Sequence, residues 1–180
     1  MIGDRWNVTD DEVRRHYPCD DLMPDPALAA WRGVTVHAPA SRVWPWVGQI
    51  RLAPYAYDWI DNLGRRSPPD LRRLPEPRVG EHFTSVGGRA QGRIVAVEPG
   101  RSLTGRILGA LMSYVVEPVP EPASEPASEP GSESSGAGTR LLLKVVSRHR
   151  GPVARALCVG DLVMARRQLL NLADLAERNR

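Results

Sequence analysis

Hydrophobic and polar residues alternate with a period of two in several stretches of the chain. The clearest is residues 139–149 (TRLLLKVVSRH), in which Leu141, Leu143 and Val145 share one face. A period of two places successive side chains on opposite faces of a β-strand. The same reasoning predicts further strands over residues 32–37, 81–86, 91–98, 102–107 and 111–119. Short Gly- and Pro-containing links join the last four of them, which predicts antiparallel neighbours.

The first residues predict a short helix. Thr9 and Glu12 have the spacing of a capping box, in which each side chain satisfies a free amide of the other. We expect this helix to end before Pro18, and residues 20–26 to form an extended arm that leads into the main domain.

Two further short helices are predicted after the first strand, over residues 39–50 and 55–63. Pro39 suits a first helical turn, whereas Pro45 should kink or shorten the same helix. Gly64 is a natural end for the second helix. The apolar side of these helices is supplied by Val43, Trp44, Trp46, Val47, Ile50, Tyr55, Trp59, Ile60 and Leu63.

The last predicted helix runs from Pro152 to about Arg178, roughly 40 Å at about 1.5 Å per residue. Its apolar stripe consists of Cys158, Leu162, Ala165, Leu169, Leu172, Ala173 and Ala176. Because only a broad sheet can bury so long a stripe, we predict an α+β fold of the helix-grip type. In that fold a curved antiparallel sheet surrounds a long C-terminal helix, and two short helices follow the first strand.

The chain is interpreted as residues 1–31, an N-terminal helix and arm, and residues 32–180, one helix-grip domain. Residues 120–138 interrupt that domain with an acidic Pro- and Ser-rich insertion. Its glutamates and prolines each recur every fourth residue, and the prolines exclude a helix. We therefore predict that the insertion is disordered.

Composition narrows the classes of function. The net charge of +3 comes from scattered arginines with a single lysine, which does not favour nucleic-acid binding. We see no apolar run long enough to span a membrane and no signal peptide. The two cysteines fit no metal or redox spacing. We expect a cytoplasmic monomer or homodimer without a metal or cofactor.

Four segments resemble a known superfamily. They are residues 34–50 (VTVHAPASRVWPWVGQI), 55–59 (YAYDW), 95–101 (VAVEPGR) and 160–164 (GDLVM). With the order of the elements, they are similar to START-like or SRPBCC proteins, among them polyketide cyclase/dehydrase-like proteins from actinobacteria. The resemblance covers residues 21–177 apart from the acidic insertion. It implies an internal cavity between the sheet and the long helix.

We expect this cavity to be largely apolar and unfilled. The chain has one phenylalanine, and its inward strand positions are mostly Val, Leu, Ala and Gly. The candidate ligand-binding residues are Trp44, Tyr57, Trp59, Phe83, Tyr114, Leu143, Val145, Leu162 and Leu169.

Three residues are candidates for catalysis. His82 precedes Phe83 on a predicted cavity strand and could act as a general base. Tyr57 and Asp58 could lie at the mouth of the pocket as hydrogen-bonding or proton-transfer groups. A structural interpretation stays open for each: Asp58 could hold a nearby loop or pair with an arginine, and isolated histidines usually lie at the surface.

Three functions remain open. The first is binding of a small hydrophobic molecule, of polyketide or lipid type. The second is an aromatase- or cyclase-type reaction that uses a base in the pocket. The third is a protein-interaction module that uses the acidic insertion or the arginine-rich loop at residues 65–78. Since the implied fold hosts all of these, fold does not choose among them.

Overall fold

A curved sheet of six strands organises the computed structural model, which describes residues 3–119 and 138–178, without the side chains of residues 152–159, 161 and 162. In chain order the strands are β1 Arg5–Trp6, β2 Leu28–Val36, β3 Thr84–Val86, β4 Arg89–Gln91, β5 Arg93–Glu98, β6 Ser102–Ile107, β7 Ala110–Pro118 and β8 Thr139–Ser147. The large sheet has the order β1-β2-β8-β7-β6-β5, while β3 and β4 form a separate hairpin. The helices are α1 Asp10–Arg14, α2 Pro18–Leu22, α3 Ala40–Gln49, α4 Asp58–Asp61 and α5 Gly151–Arg178.

Short turns account for the pairing of β5 with β6 and of β6 with β7, whereas β8 pairs with strands that are more distant in the chain. Antiparallel hairpins join β5 to β6, β6 to β7 and β7 to β8, and β2 pairs antiparallel with β8 along its whole length. Only β1 runs parallel to its neighbour, β2, within the described strands. The sheet is not closed into a barrel, and α5 packs across it. The predicted helix-grip fold is confirmed.

The long helix α5 has 28 residues and buries the C-terminal half of its predicted stripe. Ala165, Leu169, Leu172, Ala173 and Ala176 are all buried. They share one core with residues of α3, β2, β7 and β8. We call the sheet face that α3 and α5 cover the inner face. The side chains of Cys158 and Leu162, predicted for the same stripe, lie outside the described residues.

Helix α3 spans nearly the predicted residues, and Pro45 does not shorten it, because the helix continues to Gln49. Helix α4 is much shorter than predicted, since it has one turn instead of two. A single turn cannot present a continuous apolar stripe, and Trp59, Ile60 and Leu63 are exposed. Gly64 still occupies a left-handed position just after the helix, with φ at 79°.

The N-terminal segment differs from its prediction. The capping box of Thr9 and Glu12 is present at the start of α1. The predicted extended arm is wrong at its beginning, because a second helix, α2, begins at Pro18 and continues to Leu22. Proline suits the first turn of a helix, where its missing N–H costs no hydrogen bond. The carboxylate of Asp20 accepts the backbone N–H of Tyr17 at 2.9 Å and caps that turn.

This segment covers the other face of the sheet, which we call the outer face. Tyr17 and Cys19 are fully buried there against Leu111, Leu142 and Val146. The strands β7 and β8 are therefore buried on both faces. Burial raises the pKa of the Cys19 thiol to about 11, so this thiol stays protonated and unreactive at neutral pH.

The predicted strand over residues 32–37 begins earlier, at Leu28, because its first residues pair with the end of β8. Apart from Gly138, the predicted acidic insertion at 120–138 lies outside the described residues. Across residues 3–119 and 138–178, no helix combines the length and apolar character needed to cross a membrane.

Candidate functional site

A cavity of about 300 Å³ lies between the inner face of the sheet and α5. Its walls come from the end of α3 and the following loop, the β3–β4 hairpin, the β6–β7 turn, β7 and α5. The described lining consists of Ile50, Pro54, Ala56, Asp61, Phe83, Thr84, Val86, Ile107, Leu108, Met112, Tyr114, Met164, Ala165 and Gln168. Most of these side chains are apolar. Leu108 is 87% exposed, so it marks the side on which the cavity meets solvent.

The position of Phe83 depends on a glycine in the neighbouring strand. A Cβ atom added at Gly105 would lie 2.0 Å from the Phe83 ring. Any larger residue at this position of β6 would therefore displace the ring from the wall. Phe83 also packs against Tyr114, with the ring centroids 6.2 Å apart. These contacts fix the aromatic side of the cavity.

Gln168 joins three elements at one edge of the cavity. Its Oε1 accepts a hydrogen bond of 2.6 Å from the Tyr114 hydroxyl of β7. Its Nε2 donates to the Pro54 carbonyl at 2.5 Å. Asn171, one turn later on α5, donates to the Tyr55 carbonyl at 2.9 Å. The loop after α3 is thereby held on α5, which fixes the spacing of the walls.

Asp61 is the acidic residue in the described lining. Its Oδ2 accepts the backbone N–H of Tyr57 at 3.2 Å. Its Oδ1 is buried and has no donor in good hydrogen-bonding geometry among the described residues, although the backbone amides of Ala56 and Asp61 are close enough to lower the pKa of this carboxyl group. Burial raises the pKa of Asp61, and the nearby charge of Asp58 adds to the rise; the hydrogen bond from Tyr57 opposes it. An acceptor without a donor thus lies in the wall of an apolar cavity.

A second, smaller recess of about 140 Å³ adjoins the first and shares Ile107, Leu108 and Met112 with it. At its far end Ser147 and His149 form a hydrogen bond of 2.5 Å between Oγ and Nδ1. The backbone N–H of His149 also donates to the same Oγ. This pair closes the turn between β8 and α5.

The structure places the predicted ligand-binding residues in different surroundings. Phe83 and Tyr114 line the main cavity, and Val145 lines the adjoining recess. Leu143 and Leu169 are fully buried in the surrounding core and do not line the cavity. The side chain of Leu162 lies outside the described residues.

Three aromatic residues predicted for the lining lie elsewhere. Trp44 is buried in α3, and its indole N–H donates to Glu76 at 3.0 Å. Tyr57 borders a separate groove beside α5, where the Arg167 guanidinium lies 5.9 Å from its ring. Trp59 is 76% exposed, which corrects its prediction. The reason is the single turn of α4, in which Asp61 and not Trp59 lies at the cavity.

The predicted catalytic candidates do not line the cavity either. His82 is exposed, and its Nε2 contacts the Arg51 carbonyl at 3.2 Å. The two carboxylate oxygens of Asp58 accept the backbone N–H and the hydroxyl of Ser67, at 2.9 and 2.6 Å. This geometry matches the interpretation in which Asp58 holds a nearby loop.

Sequence reasoning missed Asp61 and Gln168. Gln168 is a polar residue within the apolar stripe of α5, between Ala165 and Leu169, and that interruption was a usable signal. Asp61 lies three residues after Asp58, one of the predicted catalytic candidates, and in the same predicted helix. Both carboxylates belong to α4, but Asp61 lies at the cavity while Asp58 binds Ser67 in the following loop. Among the described side chains, no three metal-ligating groups come together.

Comparison with known proteins supports the fold alone. No protein-family model and no curated protein matches the chain. Protein MLL2253 from Mesorhizobium loti shares 15% identity, with a TM-score of 0.52 over 84% of this chain and 98% of its own. XoxI from Bacillus cereus shares 13% over 84% and 96%, with a TM-score of 0.46. The ARO/CYC di-domain protein BexL of the BE-7585A biosynthetic pathway shares 17% over 87% and 53%, with a TM-score of 0.39.

Proposed function

We propose that this protein binds a small, mostly apolar molecule in the cavity between the sheet and α5. The cavity of about 300 Å³ and its apolar walls are the observation that supports this function. Small-molecule sites typically begin at about this volume and combine apolar walls with a few polar groups. Here Asp61, Thr84, Tyr114 and Gln168 are the polar groups of the lining.

The size of the cavity argues against a packing defect. Protein interiors rarely keep voids larger than a water molecule, and this space of about 300 Å³, which opens to solvent, is far larger than that. Its walls include Met112 and Met164, whose flexible thioether side chains adapt to different ligand shapes. The hydrogen bonds of Gln168 tie β7 and the loop after α3 to α5, which fixes the positions of these walls.

The other two functions have less support in the geometry. His82, Tyr57 and Asp58 lie outside the cavity lining, so catalysis by these residues would need a different site. The arginine-rich loop at residues 65–78 is held against the end of α3 and the residues that follow it. The side chains of Gln49 and Arg51 donate hydrogen bonds to its backbone carbonyls at Asp70 and Pro75.

Filling the cavity tests the proposal. Ala165 lies in the lining and is 3% exposed, so Ala165→Phe places a ring in the empty space. We expect this variant to fold and to bind 2-naphthol or 2-methoxynaphthalene more than about tenfold more weakly, measured by isothermal titration calorimetry. Val163→Phe is the matched control, because Val163 lies on the same helix, is 47% exposed and does not line the cavity.

Two results would contradict the proposal. One is that neither naphthalene probe binds the unmodified protein. The other is that folded Ala165→Phe binds them as well as the control does. Native mass spectrometry after incubation with cell extract then searches for the natural ligand. A retained molecule should be displaced by the probe that binds best.

A further inference from the structure

The carboxyl group of Asp61 lacks a hydrogen-bond donor that a bound molecule could supply. Its Oδ1 is buried without a hydrogen-bond donor among the described residues, while its Oδ2 is held by Tyr57. Leaving a buried acceptor unpaired costs about 1–3 kcal/mol, and native proteins seldom leave such a group unpaired. Asp61 is part of the cavity wall, but its Oδ1 is covered, so the carboxylate must turn before a molecule in the cavity can reach it.

The other polar groups of the lining use most of their donors within the protein. The hydroxyl of Thr84 donates to the Ile50 carbonyl at 2.9 Å. The hydroxyl of Tyr114 donates to Gln168, and the amide of Gln168 donates to Pro54. An ionised carboxylate can only accept hydrogen bonds. The two hydroxyl donors of the described lining are therefore engaged, Gln168 keeps a second amide N–H, and Asp61 is the one anionic acceptor in that lining.

We propose that the cavity selects apolar molecules that carry a hydrogen-bond donor, in the simplest case a phenol or alcohol whose O–H bonds Asp61. This inference rests on the proposed binding function and names the ligand class of the same site. The terminal torsion of an aspartate is soft, so its carboxylate can turn toward the ligand while one oxygen stays bonded to Tyr57. An O–H bond to an ionised carboxylate is among the stronger hydrogen bonds in proteins.

A pair of matched probes tests this selection on the full-length protein. 2-Naphthol carries the donor, and 2-methoxynaphthalene has the same rings without it. We expect the unmodified protein to prefer 2-naphthol by about tenfold or more in calorimetric titrations. In Asp61→Leu the preference should disappear while 2-methoxynaphthalene still binds, which shows that the cavity is intact. Asp174→Asn is the matched control, because Asp174 is exposed on α5 and does not line the cavity.

The outcomes separate the two proposals. If neither probe binds the unmodified protein, the binding function fails. If both bind and the preference is absent, or is the same in Asp61→Leu, the cavity binds ligands but Asp61 does not select them. Should Asp61→Leu not fold, Asp61→Asn decides, since it keeps the shape and removes the charge. Its preference must fall at least about threefold, and an unchanged preference overturns the inference.

Discussion

The two faces of the same sheet differ in how completely they are packed. On the outer face, Tyr17 and Cys19 of the N-terminal segment are fully buried against side chains of β7 and β8. On the inner face, α5 buries the second half of its stripe and leaves a cavity of about 300 Å³ beside it. One pair of strands therefore supports a filled layer and an unfilled one.

Charged groups follow the same division. On the outer face Lys144 is paired with Asp20 at 2.5 Å and lies about 5 Å from the rings of Tyr17 and Trp31. Glu12 pairs with Arg140 at 2.6 Å, and Glu117 pairs with Arg15. At the inner cavity Asp61 has no such partner among the described residues. Since unpaired buried charges are costly, the outer face is arranged for stability and the inner face leaves one requirement open.

The largest expected loss of stability follows from removing the ring of Tyr17, which is buried on the outer face. Tyr17→Ala removes a fully buried aromatic side chain and its hydrogen bond of 2.8 Å to the Glu12 carbonyl. Truncation of a buried aromatic residue typically lowers the free energy of unfolding by about 3–5 kcal/mol. Urea denaturation monitored by circular dichroism measures this change.

Two companion variants show where the effect arises. Tyr17→Phe keeps the ring and should cost only about 1 kcal/mol, the value of one hydrogen bond. Tyr57→Ala, at a partly exposed tyrosine outside the cavity, should cost about 1 kcal/mol or less. Equal losses for Tyr17→Ala and Tyr57→Ala would mean that the N-terminal segment does not contribute to the folded core.

A second comparison uses neighbouring residues of β7 that point to opposite faces. Leu111 is fully buried in the outer layer, and Met112 lines the inner cavity. Leu111→Ala opens a new void and should lower the free energy of unfolding by about 2–5 kcal/mol. Met112→Ala only enlarges an existing space, so we expect about 1 kcal/mol, below the range of about 2–5 kcal/mol for truncations that open a new void. Denaturation curves of the two variants give the difference directly.

The order of these two losses is the decisive result. If Met112→Ala costs as much as Leu111→Ala, the inner space is packed in solution and the proposed binding cavity is closed. The naphthalene probes provide an independent check, because Met112→Ala should alter their affinity whereas Leu111→Ala should not.

Much of this architecture could be predicted from local patterns. The period of two in β8 and the stripe of α5 are properties of contiguous residues, so the strand, the helix and the helix-grip fold were accessible from sequence. The outer layer was not, because it depends on distant partners. The period of two places Lys144 on the face opposite Leu143, but its partner Asp20 lies 124 residues earlier in the chain. Pro18 was interpreted only as a stop signal, and the helix that it begins was missed.

The candidate site was less predictable for a related reason. Phe83 and Tyr114 line the cavity as predicted, although Phe83 lies just before β3 and only Tyr114 is within a strand. Trp59 does not, because a difference of a few residues in the length of α4 changes which side chains lie inside. Aromatic character predicts burial but does not say in which layer. What distinguishes Asp61 is a missing donor, and only the three-dimensional surroundings show this.

The smallest expected effect concerns the charges of the outer face at acid pH. The hydrogen bond from Arg15 lowers the pKa of Glu117 below its ordinary value of 4.5. A carboxyl group with a lowered pKa in the folded state stabilises the protein fully above its unfolded value, and this contribution is lost as the pH falls through the folded value. The free energy of unfolding should therefore decrease on acidification from about pH 5 to about pH 3, and less steeply in Glu117→Gln.

Glu98→Gln provides the matched control for that titration. Glu98 also pairs with an arginine, Arg101 at 2.9 Å, but both side chains are more than half exposed. Such surface pairs contribute about 0–1 kcal/mol and are screened by salt. The free energy of unfolding of Glu98→Gln should therefore decrease on acidification as steeply as that of the unmodified protein. If Glu98→Gln reduced the acid-induced loss of stability as much as Glu117→Gln does, that loss would come from the overall surface charge. The half-buried pair of Arg15 and Glu117 would then have no special part in holding the N-terminal segment to the outer face.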